Sequence, residues 1–168
     1  LQHEVRGVTT TDGRDGAAAR TIPLDGPIDL RACLGPLARG AGDPTMRVAT
    51  GAALRASMTP EGPASIELRV DGGTLRAWAW GPGAERLLDG LPAALGLDDD
   101  DTGFEPGLHP AVAALSRRLG RVRLGRTGAV WEALLPAMLE QRITGTEAWR
   151  NYRRLVRTHG TPAPGPHG

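Results

Sequence analysis

All twenty Lys/Arg positions in this 168-residue chain are arginine, and their distribution is uneven. Residues 1–107 hold ten Arg against sixteen Asp and Glu, a formal −6, whereas residues 108–168 hold ten Arg against three Glu, a formal +7. A guanidinium stays charged at physiological pH and presents a fork of donors that fits phosphate oxygens. The split therefore points to a polyanionic partner for the second part of the chain. Within that part Arg117, Arg118, Arg121, Arg123 and Arg126 form a run. A solvated face is the plainer account of such a run, and phosphate contact is the functional one. The use of Arg to the exclusion of Lys reads as genome composition rather than function.

The other groups capable of chemistry lack partners at useful spacing. Cys33 is the one cysteine; it can form no internal disulfide, and it reads as a small apolar side chain on a helix rather than a nucleophile. His3, His109, His159 and His167 form no set with metal-ligand spacing. Four consecutive aspartates, at 98–101, cannot all face one ion and read as a solvated connector. Glu140 has no neighbour that would raise its pKa or orient a water. No catalytic residue, metal site or cofactor site is assigned on these grounds.

The elements that would position these residues fall into zones. The composition, 40% hydrophobic and 23% charged, is that of a soluble globular chain. No apolar run reaches the length of a membrane span, and the first twenty residues lack the apolar stretch of a signal peptide, so a reducing cytoplasmic setting is the expectation. Residues 1–20, rich in Gly, Thr and Asp, read as a flexible segment. Residues 21–97 read as an α+β domain. TIPL is a short strand, DLRACLGPLARG a helix with Leu30, Leu34, Leu37 and Ala38 on one face, and MRVATGAALRASM one or two strands around Gly51. In ASIELRV-DGG-TLRAWAW, Ile66, Leu68 and Val70 alternate with Glu67 and Arg69, then Leu75, Ala77 and Ala79 with Arg76, Trp78 and Trp80, the pattern of a hairpin. AERLLDGLPAALGL is a helix ended or kinked near Pro92.

Residues 98–107 read as an acidic linker, and residues 108–168 as helical. HPAVAALSRRLG has Pro110 in its first turn and Gly120 as its C-terminal cap. TGAVWEALLPAMLEQRI places Val130, Leu134 and Met138 on one line and Trp131, Leu135 and Leu139 on the next, with a kink or a late start expected from Pro136. Thr144 and Glu147 form a capping box that opens a helix with Trp149, Tyr152 and Val156 inward and Arg150, Arg153, Arg154 and Arg157 largely outward. Trp131, Trp149 and Tyr152 read as core rather than base-stacking groups. The tail TPAPGPHG reads as structureless. These helices carry wide apolar stripes with little chain to cover them, so the helical part reads as incomplete.

The stretch AVWEALLPAMLEQRITGTEAWRNYRRLVRTHG resembles the helical pair that opens the catalytic domain of the DNA-3-methyladenine glycosylase II family, the helix-hairpin-helix base-excision glycosylases. There an apolar helix ends in a signature like A-I-L-G/E-Q-x-I/V-S/T; here it reads Ala137, Met138, Leu139, Glu140, Gln141, Arg142, Ile143, Thr144. The resemblance spans roughly residues 21–161. It implies a TATA-binding-protein-like antiparallel sheet domain, then the first helices of an all-α glycosylase domain.

The family flips an alkylated nucleotide out of damaged double-stranded DNA and hydrolyses its glycosidic bond; aromatic walls favour the cationic purine. By resemblance, Gln141, Arg142, Ile143 and Thr144 fill the loop that presses into the minor groove; Arg126, from the basic run, is a further candidate DNA contact. Arg142 stands where some members carry an apolar wedge, and Pro36 where some lend an aromatic to the pocket. The family's Gly-rich hairpin and catalytic Asp have no match in these residues, and LLDGLPAALG, at 87–96, lacks the second glycine of such a hairpin. The expectation is a truncated, inactive form of a base-excision enzyme with no cofactor and no membrane partner, its oligomeric state left open. The alternatives are a non-catalytic DNA- or protein-binding module derived from the family, and an unrelated α+β protein whose helical tail completes a dimer core.

Overall fold

The computed structural model describes residues 14–167; the expectation of a flexible start therefore lies largely outside the described residues, as does His3. Five strands, β1 (Ala18–Pro23), β2 (Met46–Ala49), β3 (Ala52–Thr59), β4 (Gly62–Asp71) and β5 (Thr74–Trp80), form one antiparallel sheet in the order β1-β5-β4-β3-β2. Helices α1 (Leu30–Leu34), α2 (Ala84–Asp89) and α3 (Leu91–Ala94) accompany it, so the chain has an α+β fold. β1 begins at Ala18, three residues before the expected strand, and pairs with β5 through Ala18↔Ala79 and Ile22↔Leu75.

The alternation read in the hairpin sets the two faces of the sheet. Ile66 opposes Ala79, Leu68 opposes Ala77 and Val70 opposes Leu75. These residues pack with Leu30, Cys33, Leu34, Leu88, Leu91 and Leu95 from the helices into one core. Two glycines at positive φ, Gly72 and Gly73, make the turn between β4 and β5; a twist-compatible two-residue hairpin turn needs both in that region. Cys33 is buried in this core and burial raises its thiol pKa, as expected of a packed apolar side chain. The helix read across residues 84–97 is divided at Gly90, with Pro92 in the first turn of α3, where the missing proline N–H costs nothing.

The opposite face carries Ser65, Glu67, Trp78 and Trp80, all buried, and here the structure corrects the reading of the tail. Residues 164–167 lie along this face rather than standing free. The Ser65 hydroxyl donates to the Pro164 carbonyl, Gly165 lies against the Trp80 ring, and His167 meets Trp80 edge-to-face with ring centroids 6.2 Å apart. Glu67 is the polar centre of the face: Arg14 and Arg69 pair with its carboxylate, and the His167 imidazole lies 2.9 Å from it. Arg14 also stacks 4.2 Å over Trp78. His167 and His109 thus both have work: the His109 Nδ1 accepts the Ala111 amide and caps the next helix.

Three further helices follow: α4 (Pro110–Leu119), α5 (Val130–Glu140) and α6 (Gly145–His159). Gly120, at φ +67, ends α4 as expected. α5 runs through Pro136, which is buried. Among the described residues no helix is long and apolar enough to cross a membrane.

Candidate nucleic-acid interface

The turn between α5 and α6 holds the residues that the sequence singled out. Gln141 caps α5, Arg142 and Ile143 form the turn, and Thr144 caps α6. Gln141, Arg142 and Thr144 are exposed, and Ile143 is half-buried. The Thr144 hydroxyl accepts the Glu147 amide at 3.4 Å, the half of the capping box that satisfies a free helix donor. A second brace crosses the turn: the Trp149 indole donates to the Glu140 carboxylate at 3.1 Å. Glu140 therefore serves to hold the corner.

The corner is in turn docked on the sheet and its loops at two points. Asp43, buried, accepts the Arg39 amide, the Thr45 amide and the Thr45 hydroxyl and so shapes the loop over residues 38–45. Because the Thr45 hydroxyl spends its proton on Asp43, the Tyr152 phenol is the donor in their 3.2 Å contact. Burial pushes the Tyr152 phenol pKa up and so keeps it protonated at neutral pH. Trp149 lies over Gly40, and Arg153 donates to the Ala41 carbonyl at 3.2 Å.

The second dock is Glu132. Arg55 and Ser57, two apart on β3, point to the same side of the sheet, and both reach the Glu132 carboxylate of α5; the Arg55 contact is 2.7 Å. The Met58 amide adds a third bond at 3.1 Å. Nothing in the sequence flagged Glu132: it sits among apolar helical positions, and its partners are 74 to 77 residues away.

Arg126 is placed elsewhere, beside α3 and the acidic stretch. Its amide donates to the Ala93 carbonyl at 2.8 Å, and its guanidinium lies 3.7 Å from Asp99. Asp99 also accepts the Leu124 amide, while Arg121 pairs with Asp101 at 3.1 Å and Arg123 donates to the Gly96 carbonyl. The close fit extends to Gly125, where a Cβ would stand 2.4 Å from the Ala94 carbonyl oxygen. The Thr102 amide and then its hydroxyl hold the exposed Asp100 carboxyl below the usual range. Part of the basic run is thus spent on the acidic stretch before it. No cluster of His, Cys, Asp and Glu able to hold a metal occurs among the described residues.

Trp131 departs from the core reading. It is 63% exposed, and Val130 on the neighbouring line is 75% exposed. Leu115 and Leu119 on α4, and Leu134 and Met138 on α5, are exposed as well, so both helices present apolar faces that none of the described residues covers. Trp149 and Tyr152 do face inward, half-buried and buried.

No family model matches the chain, and no curated protein matches it in sequence. Among solved structures, the chain is similar to a 3-methyladenine DNA-glycosylase from Archaeoglobus fulgidus, with a TM-score of 0.62 at 16% identity. The match covers 86% of this chain and 54% of that one, so this chain spans about half the length of the structure it resembles. At that identity the likeness is one of fold.

Proposed function

We propose that the chain is the front portion of a base-excision repair glycosylase that acts on alkylated DNA, and that it is inactive by itself. In this reading the five-stranded sheet and its helices are the TATA-binding-protein-like domain, and α4, α5 and α6 are the first helices of the helix-hairpin-helix domain. The observation that carries the reading is the coincidence of a fold likeness with exposed apolar helix faces. The fold matches a 3-methyladenine DNA-glycosylase over 54% of its length, and α4 and α5 expose the apolar faces that further helices of such a domain would bury.

The turn at residues 141–144 then faces the damaged duplex, with Gln141 and Arg142 beside the gap left by the flipped nucleotide and Ile143 and Thr144 fixing the turn. In the parent protein the flipped base is released by hydrolysis, with positive charge developing on the sugar. The aspartate and the Gly-rich hairpin that the family uses for that step have no match in these residues, so binding and chemistry are separable here. Purified chain incubated with methylated duplex DNA is expected to release no more alkylated purine than a heat-denatured sample. Release above that level would overturn the assignment of inactivity.

The exposed Trp131 favours a second reading, a non-catalytic module that receives another protein on its α4 and α5 faces.

A further inference from the structure

Among the described residues, the contacts of the arginines separate those that hold the fold from others that stand exposed. In the basic part of the chain, Arg121, Arg123, Arg126 and Arg153 are engaged internally. Arg150, Arg154 and Arg157 are exposed and make no ion pair among the described residues. On α6 these three stand at i, i+4 and i+7, which at 100° per residue places them within an arc of about 60°. Ala148 and Tyr152, the buried residues of the helix, lie on the opposite side. The stripe therefore points away from the body on a helix that Tyr152, Trp149 and Arg153 fasten to it.

A favourable end-of-helix dipole accounts for Arg157 in the last turn, but not for Arg150, in the first half, where a cation gains nothing from it. The one carboxylate on α6, Glu147, is exposed and pairs with none of the three among the described residues. From Arg150 to Arg157 the helix rises about 10 Å, comparable with about three base-pair steps along a duplex axis at about 3.4 Å each.

We propose that this stripe is a second DNA contact, separate from the turn at residues 141–144, that tracks the phosphate backbone of the duplex without reading its sequence or its damage. The proposal rests on the DNA reading above and adds a division of labour to it: the turn senses the gap, and the α6 stripe supplies the salt-sensitive grip.

The test is a salt titration of binding by the full chain to a short labelled duplex, intact or with a single abasic site. Replacing the three residues together (Arg150→Gln, Arg154→Gln, Arg157→Gln) is expected to flatten the slope of log Kd against log salt by about 2–3, equally on both duplexes, and Arg154→Gln alone by about 1. The matching triple change to Lys keeps the slope, because the charges remain. The stripe is overturned if the Gln variant keeps the wild-type slope, or if the Lys variant loses as much as the Gln variant. Should Gln141→Ala with Arg142→Ala abolish a preference for the abasic duplex while the Gln triple changes nothing, the stripe falls and the DNA reading stands. If the wild-type chain binds neither duplex at low salt, both fall together.

Discussion

Replacing Glu132 by alanine is expected to destabilise the chain by about 2–3 kcal/mol, through the loss of charge-assisted hydrogen bonds worth about 1.5–3 kcal/mol each, offset by partial solvation. The carboxylate accepts from Arg55, Ser57 and the Met58 amide, and its removal strands a guanidinium whose side chain is only 12% exposed. An uncompensated charge of that kind costs more than the pair it came from was worth. The check is the urea midpoint, with a companion variant that also carries Arg55→Leu. Removing both charges is expected to recover a large part of the loss, because the stranded cation is gone. A Glu132→Ala midpoint unchanged from wild type would show that α5 is held to the sheet by something else.

Gly40→Ala is the second large effect, expected at about 2–4 kcal/mol from two sources. Gly40 has φ +75, where an L side chain costs roughly 1–2 kcal/mol. Its Cβ would also stand 2.2 Å from the Trp149 ring, and overpacking of that order costs about 1–3 kcal/mol. The ring cannot swing away freely, since its indole N–H is bonded to Glu140 across the turn. Steric conflict with one partner predicts non-additivity: in a Trp149→Ala background, Gly40→Ala should cost only its backbone share. Equal costs in the two backgrounds would remove Trp149 from the account of how α6 is seated.

The parts of this fold that were legible in the sequence are those governed by local rules. The hairpin announces itself through period-two alternation and the Asp71-Gly72 turn signal, although the two turn residues prove to be Gly72 and Gly73, and the start of α6 through Thr144 and Glu147. The features that escaped are set by contacts distant in sequence. Glu132 reads as one polar position on an apolar helix until β3 brings Arg55 and Ser57 beneath it. The tail reads as unstructured because Pro and Gly carry no periodic signal, yet Trp80, Ser65 and Gly81 form a seat for it. Glu67 alternates as a solvent-facing residue should, and is buried because Arg14, Arg69 and His167 converge on it.

Trp131 was misplaced for the opposite reason. Periodicity identifies an apolar stripe correctly but does not say whether the partner that would bury it is present. The candidate turn at residues 141–144 rests on resemblance rather than on any local rule, and the pairing of Arg126, in the basic run, with Asp99 is a contact between residues 27 apart that no periodic signal announces.

The central claim, that this turn is a lesion-facing element held in place by α5 and α6, is tested most directly by competition between an intact duplex and one with a single abasic site for the full chain at moderate salt. The account predicts tighter binding of the abasic duplex, with that preference lost in a Gln141→Ala, Arg142→Ala variant whose thermal midpoint matches wild type. Equal affinity for the two duplexes, or a preference that survives the double substitution, would contradict it.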